Sequence, residues 1–130
     1  MNKKILIADD EKEIVDLLGA ALQREGMDVV VAYDGEEAKI KILNFRPDIV
    51  LLDLVMPRLD GWGVLKWLRQ EMKMTTPAII ISARDQIGDV KKGYELRADY
   101  YIIKPVNPRD LIKAINLVSF IKESKGNEQN

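Results

Sequence analysis

The chain alternates short apolar segments with longer segments in which apolar residues recur every three or four positions. Apolar residues fill successive positions of the short segments, which is typical of strands buried on both faces of a parallel sheet. Five segments of this kind are predicted to be strands: Ile5–Ala8, Val29–Ala32, Ile49–Leu52, Ala78–Ile81 and Tyr101–Ile103.

The longer segments have the periodicity of amphipathic helices. Asp34 is predicted to cap the second helix, Pro47 to end it, and Asn107 with Pro108 to begin the fifth. The fourth helix is predicted somewhere within Gln86 to Arg97. Other helices are indicated by apolar residues that share a face: Ile14, Leu18 and Leu22 in the first, Leu65 and Leu68 in the third, and Leu111, Ile115 and Val118 in the fifth.

Five strands that alternate with five helices predict a doubly wound α/β fold with a parallel five-stranded sheet. A length of 130 residues suits one domain. We expect that domain to span residues 1–122. The polar segment 123–130, "ESKGNEQN", is expected to be a frayed tail or the start of a linker. The sequence leaves open whether the chain is a complete protein or the first part of a longer one.

Polar residues follow four of the five predicted strands. The first strand runs into Asp9 and Asp10, the third into Asp53, the fourth into Ser82 and the fifth into Lys104. Parallel strands place their carboxyl ends at one edge of the sheet, where open α/β sheets bind ligands. These five side chains are therefore expected to converge, although they are far apart in the sequence.

Each of these residues has a simpler explanation when it is taken alone. Asp10 could cap the first helix, with Glu13 completing an arrangement like a capping box. Ser82 could merely end a strand, and Lys104 could be a solvated surface charge. Structural need does not readily explain all five polar groups at one edge, so together they favour a site.

The chemistry of the cluster follows from its charges. Three carboxylates at close range repel one another and need cations. Lys104 supplies one cation, and Mg²⁺, which prefers oxygen ligands, fits the remainder. Zinc is disfavoured because the chain contains neither histidine nor cysteine. A lysine, a hydroxyl and a metal suit a phosphoryl group, which a carboxylate can itself receive.

Composition and charge limit the kinds of partner that are expected for this chain. The net charge is −1 and there is no long basic run, so nothing indicates that this chain binds nucleic acid directly. The apolar runs are too short to cross a bilayer, and the lysine-rich start lacks the apolar core of a signal peptide. A cytoplasmic protein without a membrane segment is the expectation.

Four stretches resemble the signature of receiver domains of two-component response regulators, the CheY-like superfamily. They are "ILIADDE" (5–11), "DIVLLDLVMPRLDGWGVL" (48–65), "AIIISA" (78–83) and "ADYYIIKP" (98–105), in the expected order over residues 3–122. The resemblance implies the flavodoxin-like (βα)₅ fold with strand order 2-1-3-4-5, for which a receiver protein is itself a standard example.

The resemblance also implies a role for each site residue. Asp53 would accept the phosphoryl group, Lys104 and Ser82 would contact its oxygens, and Tyr101 would be the aromatic switch residue. In this family Mg²⁺ is the cofactor. Its expected ligands are Asp10, Asp53 and the backbone carbonyl of Val55, with Asp9 acting through a bound water.

The partners implied by the resemblance are a sensor histidine kinase or a histidine phosphotransfer protein, and a downstream output domain or protein. Output would pass through the surface of the fourth helix, fifth strand and fifth helix, roughly Gln86 to Ile121. Homodimerisation on phosphorylation is a further implied property. Such a chain signals rather than turning over an external substrate: it catalyses only its own phosphorylation and slow dephosphorylation.

Leu117, Phe120 and Ile121 are predicted to lie off the core-facing stripe of the fifth helix. Either they are incidental apolar residues at a helix end, or they contact a partner, a second copy or an output domain. Trp67 is predicted to pack in the core, and Trp62 to lie near the loop that follows Asp53.

Three rival functions fit the sequence less well. A nucleotide-binding flavodoxin or Rossmann module needs a phosphate-cradling loop after the first strand, where this chain has the acidic "ADDE". An aspartyl-phosphate phosphatase would normally carry a second aspartate two residues after the nucleophile, where this chain has Val55. A degenerate receiver that serves only as an interaction module is disfavoured because all five signature residues are present.

Overall fold

A computed structural model describes residues 2–83 and 90–128, which form a parallel five-stranded sheet in the order β2-β1-β3-β4-β5. This order confirms the predicted fold class. The strands are β1 (Lys4–Ala8), β2 (Asp28–Ala32), β3 (Ile49–Asp53), β4 (Ala78–Ser82) and β5 (Tyr100–Ile103). Each strand is one residue longer than predicted, because backbone pairing continues into the polar residue at one end.

Helices cover both faces of the sheet. They are α1 (Lys12–Arg24), α2 (Gly35–Phe45), α3 (Gly61–Lys66), α4 (Val90–Leu96) and α5 (Pro108–Glu128). A π-helical turn, Trp67–Glu71, continues directly from α3 and was not predicted. The fourth helix lies within its predicted range, although positions 86–89 of that range fall outside the described residues.

Short polar side chains fix the start of three helices, as the turn signals predict. Asp34 Oδ1 accepts a hydrogen bond from the Glu37 amide at 2.8 Å, which satisfies a free amide in the first turn of α2. Asp60 Oδ1 accepts from the Gly63 amide at 2.7 Å, and Asn107 Oδ1 accepts from the Arg109 amide at 2.8 Å. Three loops therefore enter their helices at defined residues.

The core has two layers, one on each face of the sheet. Alternate residues of the central strands point to opposite layers: Leu6 and Leu52 pack towards α2, α3 and α4, whereas Ile7 and Leu51 pack towards α1 and α5. All four are fully buried. The successive apolar positions of each strand are thus explained by burial on both faces, and the central strands hold their carboxyl-terminal residues in place.

Arg69, in the π-helical turn, is a buried cation that joins three segments. Its guanidinium donates to the carbonyls of Met74 at 2.9 Å and Arg97 at 3.1 Å, and to Asp99 Oδ2 at 3.2 Å. Burial lowers the pKa of Arg69, and the Asp99 carboxylate opposes that shift. Asp99 Oδ2 also accepts from the Ala78 amide at 2.8 Å, so the cluster fixes the start of β4 beside the end of α4.

The fifth helix differs from the prediction at its end. It continues to Glu128, so residues 123–128, expected to be frayed, are helical, and residues 129 and 130 lie outside the described part of the chain. A helix is predicted from apolar residues that recur on one face. The end of α5 is polar on every side, so this periodicity could not indicate that the helix continues. Leu117, Phe120 and Ile121 are exposed, as predicted, with Phe120 at 67%. Within residues 2–83 and 90–128, no helix is long and apolar enough to cross a membrane.

Candidate functional site

The carboxyl ends of β1, β3, β4 and β5 bring the predicted polar residues together at one edge of the sheet. Asp53 is the last residue of β3 and lies beside Ile81 of β4 in the strand register. Ser82 ends β4, and its carbonyl accepts a hydrogen bond from the Lys104 amide at 2.8 Å. Asp53 and Ser82 are buried at 3% and 0% exposure. The apolar run therefore ends in an aspartate because that residue faces a polar cluster.

Lys104 is the cation at the centre of this cluster. Its Nζ lies 3.0 Å from Asp53 Oδ2 and 3.4 Å from Asp9 Oδ2. Its shortest contact, at 2.7 Å, is with Glu11 Oε1. Only 16% of the Lys104 side chain is exposed, so water screens its contacts with the buried Asp9 and Asp53 little. The peptide bond that joins Lys104 to Pro105 is cis.

Asp9 and Asp10 occupy different positions although they are adjacent. Asp9 is buried, and its Oδ1 accepts a hydrogen bond from the Glu11 amide at 2.9 Å. Asp10 is exposed at the edge of the cluster. The N-cap residue of α1 is Glu11, so the alternative in which Asp10 caps this helix is wrong. Asp10 is placed instead with the other two aspartates.

The three aspartates are arranged as a set of oxygen ligands. Asp9, Asp10 and Asp53 each offer a carboxylate oxygen, and these oxygens lie within 4.8 Å of one another. Asp9 Oδ2 is buried and has no hydrogen-bond partner among the described residues. Its contact with Lys104 Nζ at 3.4 Å is an ion pair without a hydrogen bond, so a hard divalent cation would stabilise this buried carboxylate further. The donor set therefore fits Mg²⁺.

The pKa values of Asp9 and Lys104 reflect their burial and the charges around them. Burial raises the pKa of Asp9 to about 6; the charge of Asp53 adds to this rise, whereas Lys104 and the Glu11 amide oppose it. For Lys104, burial by itself lowers the pKa, but hydrogen bonds with Glu11 and Asp53 and the charge of Asp9 outweigh burial and raise it. Lys104 is therefore a permanent cation, and the Asp9 carboxyl keeps its proton to a higher pH than an ordinary aspartic acid does.

The loop after β3 holds Asp53 in position. The Val55 amide donates to Asp53 Oδ1 at 3.3 Å, so both carboxylate oxygens of Asp53 have partners. The Gly61 amide donates to the Leu54 carbonyl at 3.0 Å, which brings the start of α3 against the end of β3. A side chain at position 61 would collide with the Asp53 carbonyl group. The loop that follows β3 therefore requires glycine at this position.

Ser82 ends β4 at the cluster, whereas Tyr101 lies two residues before the end of β5, beside Ile80. The Ser82 hydroxyl donates to the Ala83 carbonyl at 3.0 Å. Tyr101 is half-buried and packs against the core layer formed with α4, with its hydroxyl directly against Gly93. Trp67 is buried, as predicted, and Trp62 packs against the same layer two residues after Asp60.

Glu11 is the site residue that the sequence interpretation missed. It lies 93 positions from Lys104 in the sequence, yet makes the shortest contact of that lysine. The available signal was its place directly after Asp9 and Asp10, at the same strand end. A glutamate at the start of a helix is so common in an ordinary first turn that this signal does not stand out.

Comparison with known proteins agrees with this geometry. Residues 5–116 match the family described as the response regulator receiver domain. Over 118 residues the chain is 48% identical to the alkaline phosphatase synthesis transcriptional regulatory protein PhoP of Bacillus subtilis (strain 168). That match covers 88% of this chain and 49% of PhoP, so the chain spans about half the length of that relative.

Solved structures show the same likeness. The receiver domain of the Francisella response regulator 1452 superposes with a TM-score of 0.82 at 37% identity, over 90% of this chain and 96% of that one. A CheY-like receiver domain protein from Methanospirillum hungatei JF-1 superposes with a TM-score of 0.87 at 30% identity, over 96% and 99% of the two chains.

A parallel sheet in this order, with an acidic cluster and a lysine at its carboxyl edge, defines a CheY-like phosphoryl-acceptor domain. The chain belongs to the response regulator receiver family, and its function is to accept a phosphoryl group in two-component signalling.

Proposed function

We propose that Asp53 is the residue that accepts the phosphoryl group. We also propose that this reaction is assisted by five further groups: Lys104, Ser82, Asp9, Asp10 and the Val55 carbonyl. The observation that carries this proposal is the position of Asp53 Oδ2, buried at a strand end and 3.0 Å from the Lys104 ammonium. Asp10 is the alternative acceptor within the cluster, but it is exposed, and the ion pairs of Lys104 among the described residues are with Asp9, Glu11 and Asp53 instead.

In the proposed reaction, a carboxylate oxygen of Asp53 attacks the phosphorus of a phosphohistidine. The new O–P bond forms as the P–N bond breaks, and the departing imidazole takes up a proton from solvent. Lys104 stabilises charge on the phosphoryl oxygens, because its ammonium is already fixed beside Asp53. Ser82 rotates from the Ala83 carbonyl to donate to a second phosphoryl oxygen.

Asp10, Asp53 and the Val55 carbonyl would hold Mg²⁺ directly, and Asp9 would hold it through water. When bound, Mg²⁺ supplies positive charge that offsets repulsion between the aspartates and an incoming phosphoryl group. Without it, Lys104 is the only cation in contact with Asp9, Glu11 and Asp53 among the described residues. This imbalance supports the proposal that uptake depends on the metal.

The proposed donors are a sensor histidine kinase or a histidine phosphotransfer protein, and the proposed site of action is the cytoplasm. Output is proposed to pass through the face formed by α4, β5 and α5 to a further domain, a partner protein or a second copy. Tyr101 is the proposed switch residue, and its packing against Gly93 of α4 supports that role. Sedimentation velocity with and without beryllofluoride tests whether phosphorylation produces a homodimer.

The test of the acceptor is intact mass after incubation with acetyl phosphate and Mg²⁺. Wild type is expected to gain one phosphoryl group and to lose this gain in EDTA. Asp53→Asn is expected to gain none, and Asp16→Asn, which changes an exposed aspartate of α1, is the matched control and should behave as wild type. A phosphoryl group on the Asp53→Asn variant would show that Asp53 is the wrong acceptor.

A further inference from the structure

Glu11 contacts Lys104, the cation that the proposed reaction needs. Its Oε1 lies 2.7 Å from Lys104 Nζ, a shorter distance than the 3.0 Å between Lys104 and Asp53. The Glu11 side chain is 54% exposed and that of Lys104 is 16% exposed, so Glu11 lies on the solvent side of the ammonium. An entering phosphodonor would approach from this side.

The position of Glu11 is fixed by the site itself. Its amide donates to Asp9 Oδ1 at 2.9 Å, which ties its backbone to the acidic cluster. It is the N-cap residue of α1, yet its side chain makes no capping hydrogen bond in the described structure. The carboxylate reaches across to Lys104 instead. Its contact therefore joins the first and last elements of the site.

Glu11 lies outside the set of carboxylates that could hold a metal ion. Asp9, Asp10 and Asp53 supply the clustered oxygen ligands, and Glu11 is not one of them. A lysine ammonium has three donors, and here they face Glu11, Asp53 and Asp9. Two of these donors make hydrogen bonds, with Glu11 and Asp53, whereas the Asp9 contact is an ion pair at 3.4 Å. A phosphoryl oxygen that replaces one of these carboxylates at Lys104 displaces Glu11 most readily, because Glu11 is the exposed one.

We infer that Glu11 is a positioning residue that competes with the phosphoryl group for Lys104 and so slows phosphorylation of the domain. This inference rests on the proposed role of Asp53 and Lys104. During uptake, Lys104 exchanges its bond with Glu11 for a bond with a phosphoryl oxygen, and the Glu11 carboxylate turns into solvent. Glu11 thereby sets how readily the domain is phosphorylated without touching the transferred group.

The test compares Glu11→Gln with wild type at saturating Mg²⁺, using intact mass to follow phosphorylation over time. The variant keeps the length of the side chain and removes its charge. Glu11→Gln is expected to be phosphorylated about fivefold faster, the size of effect that one charge contact at a partly exposed site produces. Glu11→Asp, which keeps the charge on a shorter stem, should fall between the two.

The matched control is Glu13→Gln, which removes an equal charge from the first turn of α1, where the residue is exposed. It should react at the wild-type rate. Two donors separate competition from simple repulsion: acetyl phosphate, a dianion at neutral pH, and phosphoramidate, a monoanion. Competition for Lys104 accelerates Glu11→Gln with both donors, and acceleration with acetyl phosphate alone would overturn the inference.

The remaining outcomes are also decisive. If wild type is phosphorylated and Asp53→Asn is not, but Glu11→Gln reacts at the wild-type rate or more slowly, the inference is wrong and the proposed acceptor stands. If neither wild type nor Glu13→Gln gains a phosphoryl group, the proposed site is wrong and the inference falls with it. Equal thermal midpoints for the Glu11 variants and wild type would show that the comparison concerns folded protein.

Discussion

The Lys104 ammonium lies 3.0 Å from Asp53 Oδ2, although 51 positions separate the two residues in the sequence. The contact depends on the parallel register of β3, β4 and β5, which aligns Asp53 with Ile81 and Ser82 with Ile103. Lys104 follows Ile103 directly. The sheet therefore places the proposed acceptor, Asp53, and the Lys104 cation side by side.

Replacement of Lys104 should change metal binding and phosphoryl transfer in opposite directions. In Lys104→Met, loss of the ammonium removes a positive charge that opposes a divalent cation, so Mg²⁺ is expected to bind more tightly. Phosphoryl uptake should fall about 10- to 100-fold, because charge on the phosphoryl oxygens loses its fixed partner. Tryptophan fluorescence titration measures the first effect, and intact mass measures the second.

Lys122→Met is the control for that experiment. Lys122 is exposed and contacts the Thr75 carbonyl at the opposite end of the sheet, so this variant should match wild type in both measurements. Weaker Mg²⁺ binding in Lys104→Met would show that the lysine and the metal do not compete for the same carboxylates.

The buried carboxyl of Asp9 should make metal-free stability depend on pH. Its pKa is raised from 3.8 to about 6, so the folded protein binds more protons than the unfolded chain between these values. The free energy of unfolding therefore falls as the pH rises from about 4 to about 6 through this group. In EDTA at pH 7.5, Asp9→Asn should be more stable than wild type by about 2 kcal/mol.

Urea unfolding between pH 4 and pH 8 measures this effect. The advantage of Asp9→Asn should shrink towards pH 4, where Asp9 is protonated in wild type. Asp16→Asn, on the exposed face of α1, should show no such trend. An Asp9→Asn variant that is less stable than wild type at pH 7.5 in EDTA would contradict the conclusion that the buried, charged Asp9 carboxylate is destabilising.

Gly61→Ala should damage both the fold and the acceptor. The added Cβ would collide with the Asp53 carbonyl group, so the start of α3 and the end of β3 must move apart. We expect a loss of about 1 to 3 kcal/mol in unfolding free energy, the usual cost of overpacking, together with slower phosphoryl uptake. Urea unfolding and intact mass check the two effects.

Gly19→Ala is the control, and it is expected to change stability in the opposite direction. A Cβ at Gly19 of α1 has Val29 Cγ1 as its nearest neighbour at 3.8 Å, which is ordinary contact. Alanine is a better helix former, so this variant should gain about 0.5 to 1 kcal/mol and keep its phosphorylation rate. Equal stability changes in the two variants would mean that the approach of Gly61 to Asp53 is not tight.

Arg69→Met should be the most destabilising substitution of an arginine within the described residues. It leaves the carbonyls of Met74 and Arg97 without their donor and Asp99 without its counter-charge. Asp99 is 41% exposed, so water recovers part of the loss, and about 2 to 3 kcal/mol is expected in urea unfolding. Arg24→Met, exposed at the end of α1, should change stability by less than about 0.5 kcal/mol.

The sequence by itself determined the sheet, its two-sided burial and the edge at which the site forms. Successive apolar residues such as Ile49 to Leu52 require cover on both faces, and this requirement fixes the α/β class. Residues that follow parallel strands share one edge, so Asp9, Asp53 and Lys104 could be placed together from their positions alone. These properties depend on periodicity and strand direction, which are local features of the sequence.

The tertiary structure alone decided which charges touch and how strongly they are shielded. The contact between Glu11 and Lys104, the bonds of Arg69 with Asp99, and the raised pKa of Asp9 have no local signature, because each joins residues from separate elements. A charge interaction varies with distance and with the exclusion of water, and both are set only when the chain is packed. The pattern therefore predicted where the site is, and packing determined how its charges are paired.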